Sequence, residues 1–253
     1  MLAAVRQSEI KKLIQDEGSV RVSELSKIFK VSGVTIRRDL EKLEQEEVIK
    51  RTHGGAVVLG TDDLMRNLAF RDQAHVEEKR RIGKAAARLV KDGNTIILDG
   101  GTTTTEIARN LDNAKNLTVV TNAVNIPLAL RNNSEITIIM TGGTLKAPSF
   151  SLTGRAAAES INHLNVDKTF LSVQGISLEK GLTNTSVSDL YLKRSIIAAA
   201  KEVILVADSS KFGRIEFCTV APITAVHKII TDNEISPHLT RELETIGIEV
   251  IVV

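Results

Sequence analysis

The feature that most constrains this chain is a rhythm that starts near residue 77 and runs to the C-terminus. Short apolar runs alternate with amphipathic stretches of helical spacing. TIILD, LTVVT, ITIIM, KTFLSV, VILVAD, HKIIT and the closing IEVIVV are short for helices and too uniformly apolar for strands with one wet face. Strands buried on both faces read this way, and stretches such as EEKRRIGKAAARLV and TEIARNL supply helices to cover them. The alternation predicts an α/β domain over residues 77–253, with a mostly parallel sheet.

Before residue 77 the pattern changes. Ile10, Leu13 and Ile14 give a first helix its apolar face, and Gly18 is a natural stop. Val22, Leu25, Ile28 and Phe29 face one way on a second helix, for which Ser23 is the expected N-cap. Val31 marks a tight connection, and Ser32 caps a third helix carrying Ile36, Leu40 and Leu43. VIKRTHGGAVV then gives two β-prone runs around Gly54-Gly55, a hairpin signal. The succession predicts a winged helix-turn-helix over residues 1–58, joined by a polar linker, 59–76, to the larger domain.

The third helix concentrates the chemistry. Its apolar residues must face the other helices, which turns Gly33, Val34, Thr35, Arg37 and Arg38 outward near the helix start. Arginine grips guanine through two hydrogen bonds, and threonine pairs with a base or packs on a thymine methyl. Ser23, Ser32 and Lys42 are placed for phosphates, and Lys50, Arg51 and His53 lie on the wing, where backbone contact is usual. The competing reading of Arg37-Arg38-Asp39 is a solvated face with local ion pairs. The two preceding helices and the following wing favour DNA.

Charge and composition agree without deciding. The net charge is +2, and residues 1–55 hold 11 basic and 9 acidic residues, which leaves 22 of each beyond them. The excess thus sits in the segment read as a DNA-binding head. Cys218 is the one cysteine, so no intrachain disulfide forms, as suits a reducing compartment. No run approaches the ~20 apolar residues of a membrane span. The N-terminus becomes charged too early for a signal peptide. The expectation is a cytoplasmic protein with no membrane partner. With five dispersed histidines and no HExxH, paired CxxC or nucleophile elbow, no metal or cofactor is expected.

The segment VSELSKIFKVSGVTIRRDLEKLEQEEVIKRTHGGA resembles the N-terminal signature of the DeoR family of sugar-metabolism regulators, through VS-x-x-TIRRDL-x-x-LE and R-x-HGGA. EEKRRIGKAAA, DGGTTTTEIA, VVTNA, TGGTL and VADSSKFGR extend the resemblance over nearly the whole chain. It implies a repressor whose C-terminal domain is similar to sugar-phosphate isomerases and binds a phosphorylated sugar or polyol.

In that domain Asp99, Gly101, Thr102, Thr103 and Thr104 lie between a strand and a helix, where glycine lets a ligand approach and hydroxyls point toward it. The alternative is a turn that merely caps the helix. Asn122, Gly142 and Gly143, and Asp208 with Lys211, follow other strands in the same sense, where ligands of open α/β sheets bind. Asp208 either joins that pocket or caps its own loop. The resemblance adds Lys193 as a phosphate partner, against an i,i+4 pair with Asp189. A sugar isomerase is the rival reading. The resemblance places an acid of such enzymes after the TFLSV strand, where this chain has Gln174-Gly175, and glutamine abstracts no proton. The expected partners are duplex operator DNA, the phosphorylated effector and further copies of the chain, as dimer or tetramer.

Overall fold

The computed structural model describes residues 3–17, 19–45, 49–52, 54–58, 74–146 and 149–253. The chain divides into two compact units, Met1–Ala74 and His75–Val253.

In the first unit, helices α1 (Ala3–Glu17), α2 (Val22–Phe29) and α3 (Gly33–Gln45) pack with a small antiparallel sheet. Its strands are β1 (Ser19–Arg21), β2 (Ile49–Thr52) and β3 (Gly55–Val58), in the order β1-β3-β2. The core joins Ile10 and Ile14 of α1, Val22 and Leu25 of α2, and Ile36, Leu40 and Leu43 of α3. Two expectations are corrected. Ile28 is 58% exposed, because Leu25 and Phe29, one turn apart, take the inward face of α2 and leave Ile28 on its flank. Ser23 is not the N-cap: Arg21 holds that position, its N–H bonded to the Glu24 carboxylate at 3.4 Å. Gly55 is required by close approach, since a Cβ there would lie 1.9 Å from the Val20 carbonyl of β1.

The second unit is built on seven strands: β4 (Thr95–Leu98), β5 (Leu117–Thr121), β6 (Ile136–Met140), β9 (Val166–Leu171), β12 (Ala200–Val206), β14 (Lys228–Thr231) and β15 (Glu249–Val252). They are all parallel, in the order β15-β14-β12-β9-β4-β5-β6. Alternate residues feed two cores. Ile96, Leu98, Val119, Phe170, Ile204 and Ile230 pack under helices α4 (Val76–Ala87), α5 (Thr102–Ala108) and α6 (Asn125–Leu130). Ile97, Val120, Leu171, Val203, Leu205 and Ile229 pack under α7 (Arg155–Ile161), α8 (Val187–Ala199) and α9 (Pro237–Thr245). With both faces covered, the inner strands read as continuous apolar runs, while the edge strands β6 and β15 stay partly exposed. Five shorter strands extend this frame: the hairpin β7 (Thr144–Lys146) and β8 (Ser151–Thr153), and the antiparallel sheet of β10 (Gly175–Ser177), β11 (Gly181–Asn184) and β13 (Cys218–Ala221).

The strand order fixes where a ligand can enter. From β4 the chain proceeds to β5 and β6 on one side, and from β9 to β12, β14 and β15 on the other. The connections therefore diverge beyond the carboxyl ends of β4 and β9, and open a crevice there.

Candidate DNA-reading helix and effector pocket

In the first unit the turn between α2 and α3 is held by backbone geometry. Lys30 adopts φ +53, and its N–H and that of Val31 both reach the Ser26 carbonyl. Ser32 then caps α3, its Oγ accepting the Thr35 N–H at 3.3 Å and lying 3.0 Å from Thr35 Oγ1. Val34, Arg37, Arg38 and Lys42 are exposed along α3, and Ser23 is exposed in the first turn of α2. Lys50 and Arg51 belong to strand β2, and His53 lies outside the described residues.

Asp39 is the exception on this face, at 3% exposure. Arg6 of α1 grips its two oxygens, Nε at 2.6 Å and Nη2 at 3.2 Å, and Gln7 Nε2 adds a third bond at 2.8 Å. The bond to Asp39 pushes the Arg6 guanidinium pKa up, against the opposing effect of burial. The carboxylate thus clamps α3 to α1. Its neighbours Arg37 and Arg38 project from a helix whose position is fixed.

In the second unit the crevice at the switch point is organised by Asp99, at the end of β4 and 1% exposed. Its Oδ1 accepts the Gly100 N–H at 2.8 Å, and its Oδ2 accepts the Ser172 N–H from the end of β9 at 3.1 Å. Lys193 Nζ, from α8, completes the group at 2.5 Å from Asp99 Oδ2 and 2.6 Å from the Ser172 carbonyl. The expected alternative, Lys193 paired with Asp189, does not occur. Asp189 instead binds Lys146 of β7 at 3.1 Å, and that lysine also donates to Ser186 at 2.6 Å. Lys193 makes two bonds and an ammonium has three donors, so one N–H remains for a ligand.

Asn122, ending β5, accepts the Gly100 N–H at 2.9 Å, and so joins the same group. Its backbone carbonyl accepts the Leu152 N–H, which draws the β7–β8 hairpin over the loop. A Cβ on Gly101 would lie 2.9 Å from Ser172 Cβ, and one on Gly100 would lie 2.3 Å from Ser151 Oγ, which would have to rotate away. Thr102 and Thr103 are buried at the start of α5. Thr104 is corrected as a ligand donor. Its hydroxyl lies 2.6 Å from the Asp99 carbonyl and 2.8 Å from that of Gly101, so its one proton is directed to the loop backbone.

Gly142, Gly143 and Asp208 lie beyond the ends of other strands, β6 and β12. Gly142 and Gly143 turn the chain beyond β6 with φ of +66 and +106. Asp208 follows β12, a strand separated from β4 by β9. It accepts the Ser210 hydroxyl and, through its carbonyl, the Lys211 N–H, which makes it the cap of its own loop. Gln174 Oε1 is taken up by Thr185, through the N–H at 2.9 Å and the hydroxyl at 2.6 Å. Ser172, Lys146 and Ser186 escaped sequence reasoning. Ser172 lay inside the apolar run KTFLSV, and the structure, which ends β9 at Leu171, was needed to bring it to the strand end.

Comparison with known proteins places both units. Residues 6–62 match the family model described as the DeoR-like helix-turn-helix domain, and residues 74–233 match the DeoR C-terminal sensor domain. An uncharacterized HTH-type transcriptional regulator of Bacillus subtilis (strain 168), YulB, is 40% identical over 96% of this chain and 94% of its own. A putative aga operon transcriptional repressor of Escherichia coli O157:H7 is 34% identical over 98% and 93%. Among solved structures, ribose 5-phosphate isomerase A of Methanocaldococcus jannaschii covers 55% of each chain at 18% identity and a TM-score of 0.40, a likeness too weak to bear on function.

Proposed function

This chain belongs to the DeoR family of transcriptional regulators, and from that premise we propose that it represses a sugar or polyol catabolic operon and leaves its operator when a phosphorylated intermediate binds. Membership makes it a regulator and not an enzyme. In this reading residues 1–58 are the DNA-binding head, 59–76 the linker and 77–253 the effector domain. The protein works in the cytoplasm with operator DNA, its effector and further copies of itself. Among the described residues no helix is long and apolar enough to cross a membrane.

The observation that carries the reading is the buried Lys193–Asp99 pair at the switch point, with Gly100, Asn122 and Ser172 drawn around it. It offers a fixed ammonium donor, paired with Asp99, beside a backbone stripped of side chains. Such a place suits an anionic oxygen flanked by hydroxyls. Repression follows the aga operon relative, a putative transcriptional repressor.

Thermal unfolding with a panel of sugar phosphates tests the effector. A ligand at 100 times its Kd adds about 2.7 kcal/mol of stability. A panel that leaves the melting temperature unmoved, with operator binding unaffected by every member, sinks the sugar-phosphate reading.

A further inference from the structure

The outward face of α8 is unexplained by the pocket. Val187, Tyr191 and Arg194 recur at i, i+4 and i+7, on the side of the helix away from Asp189 and Lys193. Arg194 donates to the carbonyls of Val220 at 3.0 Å and Thr219 at 3.4 Å, so this face runs beside strand β13. At the other end Asn184, whose amide reaches Asp189 at 3.5 Å, is the strand partner of Cys218. The start of β13 therefore lies by the first turns of α8. Phe217, just before that start, is 81% exposed, and Ile215 is 58% exposed. Tyr191, the chain's one tyrosine, is 63% exposed, and Val187 49%.

Single exposed apolar residues need no explanation. Four on two adjoining segments, two of them aromatic in a chain only 3% aromatic, have the composition of an interface core. The charges choose the occupant. Arg214 and Glu216 flank Ile215. A copy related by a two-fold axis passing Ile215 sets Arg214 against Glu216 of the partner subunit, and the reverse, so both pairs are opposite in sign. We propose that the face formed by Val187, Tyr191, Ile215 and Phe217 docks a second copy of this chain, and that α8 couples the docking to the pocket. Its inward Lys193 holds the pocket, and its outward residues meet the copy. The coupling rests on the effector reading of that pocket; the docking face does not.

Sedimentation of the full chain across a dilution series is the test. Phe217→Ala and Tyr191→Ala each weaken self-association by about thirtyfold or more, as loss of a central aromatic does. Both side chains are exposed in the single chain, so circular dichroism melts at a dilution where the wild type is monomeric stay at the wild-type temperature. Arg214→Glu and Glu216→Arg each weaken association by about tenfold or more, and the double reversal restores it. A monomeric wild type, single reversals without effect, or a double reversal no better than the singles overturns the docking face. The last of these points to a different partner for the patch. Saturating sugar phosphate moves the association constant of the wild type and not that of the Phe217 variant; an unmoved wild-type constant overturns the coupling. A wild type whose melting temperature responds to no sugar phosphate faults the pocket reading instead and leaves the docking face to stand on its reversals.

Discussion

Arg37, Arg38 and Asp39 are consecutive, yet a helix turns about 100° per residue and gives them different surroundings. The two arginines face solvent, while Asp39 is turned onto Arg6 and Gln7. Their substitutions should separate accordingly. Arg38→Ala is expected to cost about 1–3 kcal/mol of operator affinity per lost base contact and to relax sequence preference, with folding unchanged. Asp39→Ala strands the Arg6 charge in the core of the head and is expected to cost about 3–5 kcal/mol of its stability. Gel-shift titration and thermal unfolding measure the two quantities. Wild-type operator binding by Arg38→Ala would remove α3 from the reading role. In the pocket, Lys193→Met leaves Asp99 buried without its cation, at a similar cost of about 3–5 kcal/mol in urea unfolding. An unchanged midpoint would show that the pair carries no weight in the fold.

At the scale of elements, the loop from Asp99 into α5 carries four threonines with unequal tasks. Thr104 and Thr105 bond the Gly101 carbonyl, and Thr105 also accepts from Asn125 Nδ2 at 2.5 Å. Thr104→Val removes a buried donor from the Asp99 carbonyl and is expected to cost about 1–3 kcal/mol of stability. Thr103→Val, where no such bond competes, is expected to leave stability near wild type and weaken effector binding about tenfold or more. Calorimetry with a sugar phosphate distinguishes them, and unchanged affinity in Thr103→Val would place the phosphate elsewhere. A second turn, at the end of β14, is set by Asp232. Burial raises the pKa of its carboxyl, but the N–H groups of Ser209 and Glu234 outweigh that and hold it below the ordinary carboxylate value. A lowered folded pKa gives stability that is present above the unfolded value of about 3.9 and is lost as pH falls through the folded one. Asp232→Asn should therefore flatten the acid limb of the stability profile, and a limb of unchanged slope would refute the assignment. The seven sheet strands were legible as apolar runs, the inner five through burial on both faces and the edge strands β6 and β15 although partly exposed. The eight other strands described, such as Ser19–Arg21 and Gly175–Ser177, are three or four residues long and left no comparable period, apart from the wing pair flagged by Gly54-Gly55. The loop of Asp99 was legible from its glycines. Its bond to Lys193 spans 94 residues, and no local pattern encodes which lysine arrives.

For the whole molecule, the head and the effector domain are separate compact units, so any influence of one on the other must appear as a free-energy coupling between two binding events. Coupling of that kind is reciprocal. If the effector weakens operator binding by some factor, saturating operator must weaken effector binding by the same factor, typically about 5–150-fold for about 1–3 kcal/mol. Two titrations measure it independently: operator affinity by gel shift with and without effector, and effector affinity by calorimetry with and without operator. The chain has no tryptophan, so calorimetry serves where intrinsic tryptophan fluorescence cannot. Equal factors above one are the expected result. Factors of one in both directions would make the ligand a passenger and not an inducer. Unequal factors would mean that the operator-bound and effector-bound forms differ in assembly as well as conformation. Repeating both titrations with Phe217→Ala decides that case. Loss of docking should then bring the factors together, because a chain that no longer associates has one oligomeric state in every titration.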